Sequence, residues 1–232
     1  INIYYGNNST NILYYPLLEN TNEVINNLYN GTESNIDFSA DGAQFGGILN
    51  DYITLGTIRE LGIIDSNWSI CFWFNIDVFT NNNNFLSSSN TNYYFKLIMS
   101  NDNGTNSFDV YSFHNNIQYK ISFNYPYLEN IWYHLSIIWK DSTVLLYING
   151  TSLHISSKIG IHQNIHSNLY DVNLYVGSYV NEGNYFNGKI KHLIISPNII
   201  SSQQIKIIYD IGSSSTEQEN INAITTNNIK LD

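Results

Sequence analysis

The sequence predicts an all-β protein, an antiparallel β-sandwich with one short C-terminal helix. Three observations predict it. Runs of β-branched and aromatic residues alternate with polar ones, and clusters of Asn, Asp, Gly and Ser interrupt them at intervals of roughly ten residues. Aromatic residues make up 15% of the 232 residues, with 19 Tyr, 11 Phe and 4 Trp, enough large side chains to fill the space between two sheets. Helical spacing supported by a cap is confined to one segment near the end.

The elements follow in order. Ile12 opens a hydrophobic run, ILYYPLLEN, that closes on Glu19. Between Trp68 and Asp77, Ile70, Phe72, Phe74 and Ile76 fall on one face while Ser69, Cys71, Trp73 and Asn75 fall on the other, which is the signature of a core strand. The run from Ile131 to Lys140 is apolar on Tyr133, Leu135, Ile137 and Trp139. Asp141 and Ser142 then turn the chain into Val144–Ile148, and Asn149-Gly150 carries the type I′ signal that returns it through Thr151–Ile155. Three consecutive antiparallel strands follow from that stretch. Leu174–Gly177 and Gly188–Ser196 read as two further strands flanking a polar loop. Ser201 and Gln204 form a capping box, and Ile205, Ile208 and Tyr209 have helical spacing, so a short helix closes the domain. From Ser213 the chain is polar and aperiodic. The predicted organisation is one domain over residues 1–212 and a tail or linker over 213–232.

Charge and cysteine content exclude several functions. The net charge is −10, from 9 Lys plus Arg against 19 Asp plus Glu, and no basic run exists that could track a phosphate backbone, so nucleic acid is not an expected partner. Cys71 is the only cysteine, which rules out an intrachain disulfide and paired-thiolate zinc sites. No stretch reaches the about 18 apolar residues that a membrane span needs. The chain starts at Ile1 and its only methionine is Met99, which points to a processed chain or a segment of something longer. Asn accounts for about one residue in six, and sequons stand at Asn7, Asn8, Asn30, Asn67, Asn103 and Asn149.

Several stretches together resemble the laminin-G-like, concanavalin-A-like jelly-roll family of surface proteins, distantly related to pentraxins and legume lectins. ILYYPLLEN resembles the family's opening strand. AQFGGILNDYITL, from Ala43, resembles its Phe-Gly-Gly turn and Asp-Tyr-Ile strand, and NWSICFWFNI its strand with a central Trp, here Trp73. IWYHLSIIWKDSTVLLYINGTSLH places Trp132 and His134 in the family's Trp-x-His positions, and Leu146, Tyr147, Asn149 and Gly150 in its Leu-Tyr-x-Asn-Gly positions. YVGSYVNEGNYFNGKIKHLIIS and SSQQIKIIYD resemble the closing Gly-rich loop, last strand and helix. The likeness spans residues 12 to 211. Most of these positions are architectural, and His134 reads as a hydrogen-bonded structural histidine.

The resemblance implies binding. The glucanase branch of the superfamily needs alternate carboxylates on one strand face, about 5 Å apart for a retaining mechanism, and no Glu-x-Asp-x-x-Glu pattern occurs here. No Gly-x-Ser-x-Gly or His-Glu-x-x-His occurs either, and His162 and His166 lack the intervening Glu of a zinc helix. The chain is expected to be non-catalytic. Family members that hold calcium use loop oxygen atoms, for which the candidates are Glu19, Asp41, Asp51 and Asp102, with Asp41 and Asp51 foremost. Where many relatives carry acidic residues on the last strand, this chain has Lys191 and His192, which sets a positive charge against a cation at that place. Sugar binding calls for aromatic plates beside planar polar side chains. Two loops have that composition: Tyr179, Asn181, Glu182, Asn184 and Tyr185, and Asn90, Asn92, Tyr93 and Tyr94. The expectation is an extracellular or surface recognition module for a glycan or glycosylated protein, with calcium as an aid. The alternative is a structural domain of a larger adhesin, cell-surface assembly or virion that contacts a protein partner.

Overall fold

The computed structural model describes residues 12–64, 67–81, 83–90, 93–102, 104–114, 117–141, 143–155, 157–159, 165–178 and 185–226. In chain order the strands are β1 (Leu13–Tyr15), β2 (Thr32–Ser34), β3 (Asp37–Ser39), β4 (Gly42–Gly46), β5 (Tyr52–Thr57), β6 (Asn67–Ile76), β7 (Asn83–Ser89) and β8 (Tyr93–Asp102). Then come β9 (Thr105–His114), β10 (Ile117–Asn124), β11 (Trp132–Lys140), β12 (Thr143–Ile148), β13 (Thr151–Leu153), β14 (Ser157–Ile159), β15 (Asn173–Val176) and β16 (Asn187–Ser196), followed by helices α1 (Ser202–Asp210) and α2 (Glu217–Thr226).

These strands build two antiparallel sheets. The first runs β13-β12-β11-β6-β16-β4-β3, with β1 also paired to β16, and the second runs β14-β10-β9-β8-β7-β15-β5-β2. The fold is the β-sandwich expected from the alternation. Ile70, Phe72, Phe74 and Ile76 of β6, and Tyr133, Leu135, Ile137 and Trp139 of β11, all enter the core between the sheets. Phe74 lies at its centre, stacked on Tyr133 and edge-on to Phe85 and Phe108. Trp68 stacks on Trp139, with centroids 5.1 Å apart, and meets Phe95 edge-on. Such aromatic contacts join strands of both sheets and make the sandwich one packing unit.

The other face of the first sheet is covered as well. Cys71, Ile138 and Ile194 pack there against Ile205 and Ile208 of α1, which explains why β6 and β11 are apolar at nearly every position. Helix α1 begins with the expected capping box between Ser201 and Gln204. Asn149 and Gly150 take φ of 50° and 73°, as a type I′ hairpin turn requires, and return β12 into β13.

The polar segment after Ser213 does more than trail away. Thr216 and Glu219 form a second capping box, with the Thr216 hydroxyl accepting the Glu219 N–H at 3.2 Å and the Glu219 carboxylate accepting the Thr216 N–H at 2.8 Å. The box starts α2, whose Asn220 is buried and hydrogen-bonds to Ser215 and to the Thr216 carbonyl. A buried polar contact, together with Ile221 packed against the cluster of Ile205 and Ile208, seats this helix.

Strand β16 contains an irregularity with consequences for its side chains. Its register against β6 shifts between Lys191 and Ile194, and His192, with φ of +53°, is the extra residue. Ile190, Leu193 and Ile195 face the core, so the bulge lets two successive residues, Lys191 and His192, leave it.

Candidate ligand-binding face

Both helices pack on the first sheet, and the alternation of the second sheet decides what its outer face presents. Phe95, Leu97 and Met99 of β8, Phe108 and Val110 of β9, and Ile121 and Phe123 of β10 point into the core. Their neighbours Tyr94, Lys96, Asp109, Tyr111, Phe113, Gln118 and Lys120 therefore share the outer face. Register aligns them in rows. Ser87, Lys96, Tyr111 and Lys120 are successive cross-strand partners, and so are Tyr94, Phe113 and Gln118.

This face combines aromatic plates with polar edges. Tyr94 and Phe113 stack almost parallel, at 2° and 5.0 Å between centroids. The Tyr94 hydroxyl donates to Gln118 Oε1 at 2.9 Å. Lys96 Nζ lies over both Tyr94 and Tyr111, at 5.0 and 5.1 Å from their centroids. All of these side chains are at least partly exposed. Aromatic rings next to amide, phenol and ammonium groups are the side-chain types that recognition of a pyranose draws on, through its C–H face and the hydroxyls at its rim.

A buried carboxylate underlies the plates. Asp109 has no exposed surface, and it accepts from Ser100, from Ser107 at 3.0 Å and from Tyr111 at 3.5 Å. Lys120 Nζ closes on it at 2.8 Å and reaches Asp102 at 3.4 Å. Burial opposes the Lys120 ammonium, but its bonds to Asp109 and Tyr111 outweigh that and hold the amine above its ordinary value. Burial, and then the Asp109 charge, raise the Tyr111 phenol. Asp102 and Asp109 thus converge on one cation, an ion-pair arrangement rather than two carboxyl groups facing each other across a scissile bond.

The positions expected from the sequence are placed as follows. Tyr179, Asn181, Glu182, Asn184, Asn92 and His162 lie outside the described residues. Tyr185 is half-buried, next to Phe186 of the core. Tyr93 turns inward, stacked on His166 at 4.2 Å, and its N–H is held by Asn90, whereas its neighbour Tyr94 faces out. Ser178, just after β15, accepts through its carbonyl from Ser87 Oγ at 2.5 Å. Lys96, Asp109, Tyr111, Phe113, Gln118 and Lys120 were not singled out by sequence. Their signal was charged and aromatic residues at alternate positions of long strands, in a chain only 12% charged.

The carboxylates expected to hold calcium have other engagements. Asp51 is buried and accepts through Oδ2 from the N–H groups of Gly46 at 2.8 Å and Ile48 at 3.4 Å, and through Oδ1 from Asn35. It is the internal cap of the turn after β4. Asp41 faces Lys189 at 3.7 Å. Both carboxylates have partners within the protein, Asp51 inside a turn and Asp41 at Lys189. Among the described residues no three His, Cys, Asp or Glu side chains gather in a group suited to a metal ion. His134, expected to be hydrogen-bonded, is buried, and among the described residues neither ring nitrogen has a partner.

Comparison with known proteins agrees with this architecture. Residues 45–206 match the family model described as the concanavalin A-like lectin/glucanases superfamily. No curated protein sequence matches significantly. Among solved structures, domain 4 of AbnA, an extracellular arabinanase from Geobacillus stearothermophilus solved with arabinotriose, aligns with a TM-score of 0.63 and 17% identity, covering 84% of this chain and 95% of that domain. The binding domain of Paraclostridial Mosquitocidal Protein 1 aligns with a TM-score of 0.62 and 13% identity, over 87% of this chain and 52% of that one. Trypanosoma rangeli sialidase gives 0.62 and 13%, over 88% of this chain and 33% of the sialidase. The chain therefore spans about half or less of the latter two. At such identities the shared property is the fold.

Proposed function

The chain belongs to the concanavalin A-like lectin/glucanases superfamily, and from that premise we propose that it is a non-catalytic recognition module, acting at a cell surface or outside the cell, that binds carbohydrate on the outer face of its second sheet. The observation that carries this reading is the Tyr94–Phe113 pair flanked by Lys96 and Gln118. The arabinanase domain, solved with arabinotriose, supports it by analogy.

A glycan array probed with the full chain, followed by calorimetry on the best ligand, tests the reading. Replacing Tyr94 or Phe113 by Ala removes a stacking surface worth about 1 kcal/mol or more and weakens binding about tenfold. Undiminished binding in both variants, or no glycan bound at all, sinks this reading.

A specific feature favours protein contact as the second reading. Ile48, Leu49, Val78, Leu128 and Ile131 are exposed in turns at one end of the sandwich, two of them tied together by the Phe79 N–H donating to Glu129 at 2.7 Å. A cluster of that kind suits a module packed within a larger assembly. Light scattering of the wild type and of a Leu49→Ser, Leu128→Ser variant separates the cases, since self-association lost in the variant favours assembly.

A further inference from the structure

The outer face of the first sheet holds a row of buried polar groups that the carbohydrate reading does not use. Lys191 of β16, Trp73 of β6 and His134 of β11 are direct cross-strand partners, side by side on three central strands. Their exposures are 5%, 4% and 1%. Among the described residues, Trp73 Nε1 and both ring nitrogens of His134 have no hydrogen-bond partner. Among the described residues no carboxylate comes within ion-pair distance of Lys191; its ammonium lies over the Trp132 ring at 4.3 Å, and Asp41 is paired with Lys189. Burial pushes the Lys191 amine below its ordinary value.

The composition of this row sets its complement. Indole offers a donor only, ammonium three donors, and imidazole at least one. Apart from one imidazole nitrogen the row contains no acceptor, and the carboxylate that offsets the Lys191 charge, Asp41, is shared with Lys189. Leaving such donors unsatisfied costs about 1 to 3 kcal/mol each. Tyr209 of α1 roofs one side, stacked on Trp73 with centroids 5.7 Å apart. The neighbouring row, Gln44, Lys189, Asn75 and Trp132, is only half-buried and supplies an approach.

We propose that Lys191, Trp73 and His134 form a binding site for a small oxyanion, a carboxylate or phosphate group that accepts from the indole and imidazole N–H groups and neutralises the lysine. The site is separate from the carbohydrate-binding face, on the opposite sheet. The oxyanion has two sources to distinguish, a free anion and the carboxylate of an acidic sugar.

Thermal unfolding at fixed pH and ionic strength, with sodium phosphate, acetate, glucuronate or glucose replacing part of the sodium chloride, tests the assignment. The expected result is a rise in melting temperature with phosphate or acetate if the ligand is a free anion. A rise with glucuronate well beyond acetate, and none with glucose, identifies a sugar carboxylate. In Lys191→Met, which keeps the stem over Trp132, the rise disappears, while circular dichroism confirms the fold; Trp73→Phe reduces it. No anion-specific rise in the wild type, or an equal rise in Lys191→Met, overturns the proposal.

Discussion

The Tyr14 hydroxyl and His192 Nδ1 are hydrogen-bonded at 2.7 Å although 178 residues separate them in the chain. This contact ties β1 to the bulge of β16, and Asn220 of α2 approaches the same nitrogen at 3.4 Å. The groups around it are Lys191 on its own strand, His134 on β11, Tyr209 on α1 and the Glu23 carboxylate, which accepts the Tyr14 N–H at 3.1 Å. Burial, and then the Lys191 charge, push the His192 pKa down to about 4; burial, and then His192, push that of His134 down to about 3.

The unfolded chain, with histidine near its ordinary 6.5, therefore binds more protons than the folded one at mildly acidic pH. Stability is fully present above pH 6.5 and declines as pH falls toward 4 and then 3. Each histidine contributes at most about 1.4 kcal/mol per pH unit in that window. Urea unfolding at a series of pH values is expected to show this decline, and His192→Asn and His134→Phe to flatten it. A slope unchanged in both variants assigns the acid sensitivity to other groups.

The calcium expectation leads to a different outcome now that Asp51 is seen to cap a turn. Replacing Asp51 by Ala removes acceptors for Gly46, Ile48 and Asn35 in a buried position, at a cost of about 1 to 3 kcal/mol. The wild-type melting temperature should be the same in calcium and in chelator, and Asp51→Ala should lower it equally in both. A calcium-dependent rise that Asp51→Ala abolishes would restore the metal reading.

The fold was legible because period-two alternation is a local signal. The two faces of β6 and the hairpin at Asn149-Gly150 follow from residues a few positions apart. The candidate face was less legible, because Lys96, Tyr111 and Lys120 meet only through strand register. Simple alternation would send His192 into the core, and only the bulge reverses that. Helix α2 lies in a segment dominated by polar residues, yet Thr216 and Glu219 had the spacing of a capping box all along.

Gly177 ends β15 at a point where no side chain fits. Its φ is +83°, and a Cβ there would fall 2.2 Å from two carbons of the buried Phe45 ring. Gly177→Ala combines backbone strain with displacement of a core aromatic, and is expected to cost more than about 2 kcal/mol. Denaturant unfolding measures it. Gly212, with φ of +85° and open space around its Cβ position, serves as the control that carries strain alone.

Asp109 and Lys120 should not be equivalent when removed one at a time. Lys120→Met leaves a carboxylate with no exposed surface facing only neutral donors, a loss of about 3 kcal/mol or more. Asp109→Asn leaves an ammonium that still reaches the exposed Asp102 and solvent, so its cost is nearer 1 kcal/mol. Unfolding free energies of both single variants and the double variant at pH 7 measure this asymmetry. Equal losses in the two single variants would mean that the pair is satisfied by other groups, and that the aromatic face rests on packing alone.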